Sequence, residues 1–164
     1  MRIKGKKFTY SVKMVKLPNG KTTTIDFVEH PGAALIMPLL NKRQTIFLRQ
    51  YRAALGKYLY ELPAGTLNKR ENPLVCARRE LVEETGYSAR RFRALGKIYP
   101  VPGYSDEVIF IYQATDLRKA QANPDHDEIL KPFVVSRKEV IMMFKRGQIK
   151  DAKTICALAL AGWL

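Results

Sequence analysis

Two short apolar runs constrain this chain more than any other feature. Ala33-Ala-Leu-Ile-Met37 follows Pro31-Gly32, and Thr45-Ile-Phe-Leu48 follows Asn41-Lys-Arg43. Each has strand length, and neither is broken by the polar alternation of a half-exposed strand, so both faces of each strand have to be covered. Strands of that kind belong inside a sheet flanked by helices on both sides. The chain supplies suitable helices further on. Asn72 can cap one, with Pro73 at its first position, Leu74, Ala77 and Leu81 recurring on one face and Gly86 where a left-handed terminator belongs, which predicts a helix over about 73 to 85. Ser136-Arg-Lys-Glu139 is a capping box ahead of Val140 to Phe144, with Gly147 as the stop, and a last helix is expected from about Asp151 to Trp163.

The remaining signals are strands and turns. Phe8 to Val28 alternates loosely around Pro18-Asn19-Gly20, and Asn-Gly between strand-like runs signals a hairpin. Lys57 to Glu61 reads as a short strand stopped by Pro63-Ala64-Gly65, and further strands are expected at Ile98 to Val101 and Val108 to Tyr112, on either side of a Pro102-Gly103 loop. Asn123 to Glu128 reads as an acidic connector. The expectation is an α/β domain, a mixed sheet with helices on both faces, preceded by a hairpin that stands apart.

Length and composition fit one such domain. The 164 residues bury enough surface to need no disulfide framework or structural metal, and no repeat or linker divides them. Residues 1–29 read as a hairpin extension and 30–164 as the core of a single domain. A content of 46% hydrophobic and 27% charged residues excludes a disordered or collagenous chain. Cys76 and Cys156 lie far apart in helix-like apolar stretches, which suits reduced core thiols and a cytoplasmic location. The longest apolar stretches, Ala33 to Leu40 and Ile155 to Leu164, are too short to span a membrane, and no secretion signal is expected. The net charge of +14 points to anionic substrates, polyanions or a membrane surface, yet the basic residues are spread along the whole chain and most read as solvated surface.

The chemistry concentrates between Gly65 and Tyr87. Glu80, Glu83 and Glu84 stand at i, i+3 and i+4 of the expected helix, so Glu80 and Glu84 lie about 40° apart around it and about 6 Å apart along it. Carboxylates brought so close repel one another, and hard oxygen ligands at that spacing suit Mg²⁺ or Mn²⁺. Arg79, four positions before Glu83, can fix that carboxylate by a charge-assisted contact. Taken alone, such a pattern is also that of a solvated, salt-bridged helix face.

The spacing of the whole segment is more specific. Gly65, five residues, Glu71, seven residues, Arg79-Glu80-Leu81, one residue, Glu83-Glu84, one residue, Gly86 and Tyr87 resemble the Nudix box. Only Tyr87 departs from the pattern, which has an aliphatic residue there. The resemblance implies a Nudix-type α/β/α sandwich with a mixed sheet, and hydrolysis of a nucleoside diphosphate linked to another moiety. By position, Glu80 and Glu84 resemble the principal metal ligands, with Glu83 supporting and the backbone carbonyl of Ala64 brought to a metal by Gly65. Arg79 resembles the orienting residue and Glu71 a looser contributor. The cofactor implied is Mg²⁺ or Mn²⁺, in two or more ions.

The flanks are similar to the ADP-ribose pyrophosphatase and nucleotide-sugar branch: Gln50-Tyr-Arg52, Glu61-Leu-Pro-Ala-Gly65, and Pro102-Gly-Tyr-Ser-Asp-Glu107. The similarity spans roughly residues 8 to 115. It implies Arg52, Glu61, Pro102 and Gly103 as substrate-binding residues and Glu107, with Glu83 and Arg79, as the catalytic group. Arg52 has two readings, a phosphate or ribose ligand or a partner of Glu61. Asp106 competes with Glu107 for the role of base. Tyr10, Phe27, Tyr51 and Tyr104 are candidates for stacking on a base, though each also reads as packing, and His30 and His126 read as structural or surface residues. The expected reaction gives a nucleoside monophosphate and a sugar phosphate from ADP-ribose or a related nucleoside diphosphate sugar. GDP-mannose, a dinucleoside polyphosphate, and a different class, nucleic-acid binding on the same scaffold, are the alternatives. A homodimer formed through the hairpin is expected; a membrane and a nucleic acid are not expected as partners.

Overall fold

A computed structural model describes residues 1–123 and 128–164 of the chain. The acidic connector and His126 therefore fall wholly or partly outside the described residues. The elements are β1 (Arg2–Lys4), β2 (Thr9–Lys16), β3 (Thr22–Glu29), β4 (Ala33–Asn41), β5 (Gln44–Arg52), β6 (Lys57–Glu61), β7 (Ala64–Thr66), α1 (Pro73–Thr85), β8 (Tyr87–Ile98), β9 (Ile109–Lys119), β10 (Leu130–Ser136), α2 (Arg137–Lys145) and α3 (Ala152–Leu160).

The central sheet runs β10-β5-β4-β9-β8, with β6 beside β5 and β7 beside β4. Only β4 and β9 pair in parallel, from Ala33 opposite Ile109 to Pro38 opposite Ala114, which makes the sheet mixed. Strand alternation divides β4 between two cores. Ala33, Leu35 and Met37 join Ile109, Ile111, Ala157, Leu158 and Trp163 on the face covered by α2 and α3, whereas Ala34 and Ile36 join Cys76, Ala77 and Leu81 under α1. The expected α/β/α layering is the one observed, and it holds β4 at the centre of both layers.

The local signals explain the helices. The Asn72 side chain accepts from the Leu74 N–H at 2.9 Å, and Gly86 closes α1 at φ 70°. Ser136 and Glu139 form the reciprocal capping box of α2. The last helix is shorter than expected: Asp151 is its N-cap, accepting from the Thr154 N–H, and the helix ends at Leu160.

Three strands differ from expectation. Residues 99–101 are not a strand; instead β8 runs for 12 residues and ends at Ile98. A register shift between Ala94 and Gly96 moves the apolar side chains from the α1 face at Phe92 to the α3 face at Leu95 and Ile98, which destroys the period of two. β10 was hidden by Pro132, which a sheet tolerates on an edge strand such as this one. Pro63-Ala64-Gly65 does not simply end a strand, since Ala64 to Thr66 pairs with β4 as β7.

The hairpin β2–β3 forms as expected, with β1 added on its outer edge. It is anchored to the 104–106 loop: Val28 donates its N–H to the Tyr104 carbonyl at 2.8 Å, and Ser105 Oγ donates to the Val28 carbonyl at 2.9 Å. Among the described residues, no helix is long and apolar enough to cross a membrane.

Candidate active site

Glu80 and Glu84 leave α1 on the same side as its apolar face and are buried with it, Glu84 almost completely. What they meet there is the backbone of β7. The Ala64 N–H donates to Glu84 Oε2 at 2.8 Å, while Glu84 Oε1 is buried with no hydrogen-bond partner. At Gly65 the close approach is absolute, because a Cβ built there would lie 1.8 Å from Glu80 Oε1. Glycine is therefore required at 65 by the carboxylate packed over it.

Arg79 is the internal counter-charge. Its Nη1 donates to Glu80 Oε1 at 2.6 Å and to Glu83 Oε2 at 2.9 Å, and its Nε and Nη2 grip both oxygens of Glu71 at 3.1 and 3.0 Å. Glu71 is fixed in turn by the Asn68 N–H at 2.9 Å. The guanidinium's hydrogen bond holds Glu71 below the usual carboxylate range. Burial pushes Glu80 up to about 7 despite Arg79, and it pushes Glu84 well above its usual value, with the charge of Glu80 adding to the effect. Burial also raises the Cys76 thiol to about 12, which makes it an inert packing residue.

A second wall is built of paired charges. Arg52 donates from Nε and Nη2 to the two oxygens of Glu61 at 2.7 and 2.5 Å, so the pairing expected as one of its two readings is present. Lys153 donates to the same buried Glu61 and, at 2.8 Å, to Asp151. Asp151 and Thr154 tie α3 to this corner, Thr154 Oγ1 accepting from the Leu62 N–H at 2.9 Å. Lys153 and Asp151 carry no sequence signal as site residues, because 92 positions separate Lys153 from Glu61 and no local motif joins them.

On the third wall the two adjacent acids have different surroundings. Asp106 Oδ1 accepts from the His30 N–H at 2.8 Å, a structural clasp between the hairpin exit and the loop. Glu107 instead faces the cavity, its own N–H held by Ser105 Oγ at 3.1 Å and its Oε1 3.8 Å from His30 Nδ1. His30 also lines the cavity, and its Nδ1 accepts from the Gly32 N–H at 3.1 Å.

These three walls line one cavity of about 910 Å³, which includes Arg52, Ala64, Glu80, Glu107 and Lys153. Pro102 and Gly103 stand on the exposed turn before Glu107 and do not line it. Nor do the four aromatic candidates. Tyr10 is bonded to Asp26, Phe27 lies under Lys13, Tyr51 packs edge-on against Tyr58, and Tyr104 is exposed. Phe8 is the aromatic residue that reaches the cavity wall.

The donor set fits a divalent cation. Among the described residues no preformed cluster of three metal-ligating side chains exists, because Arg79 holds Glu80 and Glu83. The unpartnered Glu84 Oε1, beside the buried Glu80, is nonetheless a hard oxygen donor short of positive charge, which is what such a cation supplies.

Comparison with known proteins bears on the family and the fold. The NUDIX domain family model matches residues 29–158. The chain is 37% identical over 156 residues to the methanol dehydrogenase activator of Bacillus methanolicus, and 33% identical over 156 residues to the ADP-ribose pyrophosphatase of Bacillus subtilis (strain 168). Each alignment covers 94% of this chain and 84% of the relative. A crystal structure of an ADP compounds hydrolase superposes with a TM-score of 0.82 at 22% identity, covering 97% of this chain and 86% of that one. It shares the fold.

Proposed function

The chain belongs to the Nudix family and is a pyrophosphohydrolase, and from that premise we propose that it cleaves the diphosphate of ADP-ribose or a related nucleoside diphosphate sugar to a nucleoside monophosphate and a sugar phosphate. The observation that carries the reading is the pair Glu80 and Glu84, buried against the Ala64-Gly65 backbone with one carboxylate oxygen unpartnered.

Glu80 and Glu84, with Glu83 and the Ala64 carbonyl in support, would hold divalent cations, Mg²⁺ or Mn²⁺ in two or more copies, which when bound supply charge stabilisation and acidify a water. Arg79 orients Glu83 and Glu80 and keeps Glu71 ionised beside them. Glu107, partly exposed on the cavity wall, is the group that accepts the proton of the attacking water in this reading. In this reading Asp106, which accepts from the His30 N–H, serves as a clasp and leaves the role of base to Glu107. In this reading Arg52, paired with Glu61, and Lys153, paired with Glu61 and Asp151, anchor the anionic substrate, while Glu61 positions both cations. Pro102 and Gly103 serve by shaping the turn that presents Glu107.

The hairpin leaves Met14 78% exposed, and Ile3 and Val12 lie open on the same sheet, which supports a homodimer with this face in the interface. Two unpaired thiols, one buried, support a cytoplasmic location. The test is a panel of nucleotide sugars with Mg²⁺ and product identification. Release of AMP and ribose 5-phosphate from ADP-ribose is the expected result. Turnover of no nucleoside diphosphate derivative would overturn the reading.

A further inference from the structure

The cavity is acid at its floor and basic at its mouth. Residues Lys4 to Thr9, the turn between β1 and β2, form one side of the mouth. The Gly5 N–H donates to the Phe8 carbonyl at 2.9 Å and closes that turn. A Cβ on Gly5 would meet the same carbonyl at 3.0 Å, so the turn is built tightly around a glycine, with Lys6-Lys7 at its tip. Lys69 reaches the cavity from the loop between β7 and α1. The two sides adjoin: Thr9 pairs with Glu29 across the hairpin, and three residues on, the Gly32 carbonyl accepts from the Leu67 N–H at 3.0 Å. Lys4 and Thr9 also line an adjoining recess with Arg2, so the basic surface continues outward.

Two further acids among the described residues, Glu29 and Glu128, line the cavity, and both Glu128 and Lys6 are engaged. Glu29 is held by Arg2 and Lys13, each at 2.9 Å. No acid among the described residues pairs with Lys4, Lys7 or Lys69. The floor does not need these lysines either, because a diphosphate bound there has the cations of the acidic helix and the Arg52–Lys153 wall to balance it. A cavity of about 910 Å³ stands at the upper end of what one small ligand fills, which leaves room beyond the diphosphate.

We propose that Lys4, Lys7 and Lys69 form a second anion subsite at the cavity mouth, which selects nucleoside diphosphate derivatives carrying a further phosphate monoester away from the scissile linkage. The inference rests on the hydrolase reading above. It makes the preferred substrate a phosphorylated relative of a nucleotide sugar, and the N-terminal turn the element that reads it.

The test compares ADP-ribose with ADP-ribose 2′-phosphate, on the full chain and on its K4Q/K7Q/K69Q variant. The wild type should favour the phosphorylated compound by about 10-fold or more in kcat/KM, through KM, as expected for one or more charge-assisted phosphate contacts. In the variant the ratio between the two compounds should fall to about one. Calorimetric titration of both compounds into metal-free protein gives the same ratio without turnover. A binding preference that disappears in the variant, with neither compound hydrolysed, would sink the hydrolase reading and leave the subsite standing. Equal handling of the two compounds by the wild type, or a preference the variant keeps, would overturn the subsite. A 5′-phosphorylated RNA bound more tightly than the nucleotide would overturn it in favour of a polynucleotide ligand.

Discussion

Replacing Gly65 by alanine tests the site through a single methyl group. The Gly65 backbone is not left-handed, so alanine meets no conformational penalty there and the whole effect comes from space. The new Cβ would lie 1.8 Å from Glu80 Oε1, 1.9 Å from its Cδ and 2.5 Å from Oε2. Reaching the 3.4 Å at which ordinary contact begins requires the carboxylate to retreat by about 1.6 Å. That movement lengthens the 2.6 Å bond from Arg79 Nη1 beyond hydrogen-bonding distance or drags the arginine from Glu71 and Glu83. Overpacking of this kind costs about 1–3 kcal/mol, which for a chain of this length lowers Tm by roughly 2–12 °C. The effect on catalysis should be larger, since a ligand displaced by more than 1 Å costs about 10²-fold in rate. Thermal melts and kcat/KM against Mg²⁺ concentration measure the two effects. A cycle with E80A separates the cause, because most of the cost of G65A should vanish when the Glu80 carboxylate is absent. If G65A melts like the wild type and keeps its Mg²⁺ response, or if its cost is the same in both backgrounds, the cradle is not what positions Glu80.

Three further outcomes follow from the same geometry. E84Q should abolish most turnover while leaving the Tm of the metal-free protein unchanged or higher, because it keeps the volume and removes a carboxylate that burial disfavours; a large loss of stability would contradict this. E107Q should lower kcat by about 10²-fold with little change in KM, whereas D106N should spare kcat and cost about 1 kcal/mol by weakening the clasp on the His30 N–H; the reverse pattern would move the base by one residue. Burial pushes Glu61 up, but Arg52 and Lys153 together bring it below its usual value, so its contribution to stability is full above the unfolded pKa and is lost as pH falls through the folded one; E61Q should flatten the acid limb of a Tm-against-pH curve, and an unaltered limb would show that the two cations do not act through Glu61.

What the sequence made legible follows the range of the interactions. The ends of α1 depend on Asn72, Pro73 and Gly86, all within the helix or next to it, and they form as expected. β4 was readable because both its faces are apolar for one reason, burial between two layers. β8 was not, because a bulge at Ala94 to Gly96 breaks the periodicity, and Pro132 disguised β10 until its place at the sheet edge was known. In the site, the acids of α1 share a helix face and could be placed by spacing. The Arg52–Glu61–Lys153 corner could not, because β5, β6 and α3 meet only through the tertiary fold. Asp106 and Glu107 show a subtler case. Both precede the strand that begins at Ile109, so strand alternation does not sort them, and the decision rests on the His30 N–H that captures Asp106.

The distribution of charge around α1 separates what the fold needs from what the chemistry needs. Arg79 satisfies Glu71, Glu80 and Glu83 with one guanidinium, and for stability alone the cluster could end there. Glu84 lies outside that arginine's reach, with one oxygen on the Ala64 N–H and the other on nothing. An unpartnered buried polar atom costs stability, and glutamine or a packed apolar residue would remove the charge. A sequence under pressure for stability alone has no use for a carboxylate there, least of all four residues from a second buried one that raises its proton affinity further. The position makes sense if positive charge arrives from outside, as a divalent cation would bring it. Stability and activity should therefore move in opposite directions at residue 84 and together at residue 79, where losing the guanidinium leaves three acids facing one another.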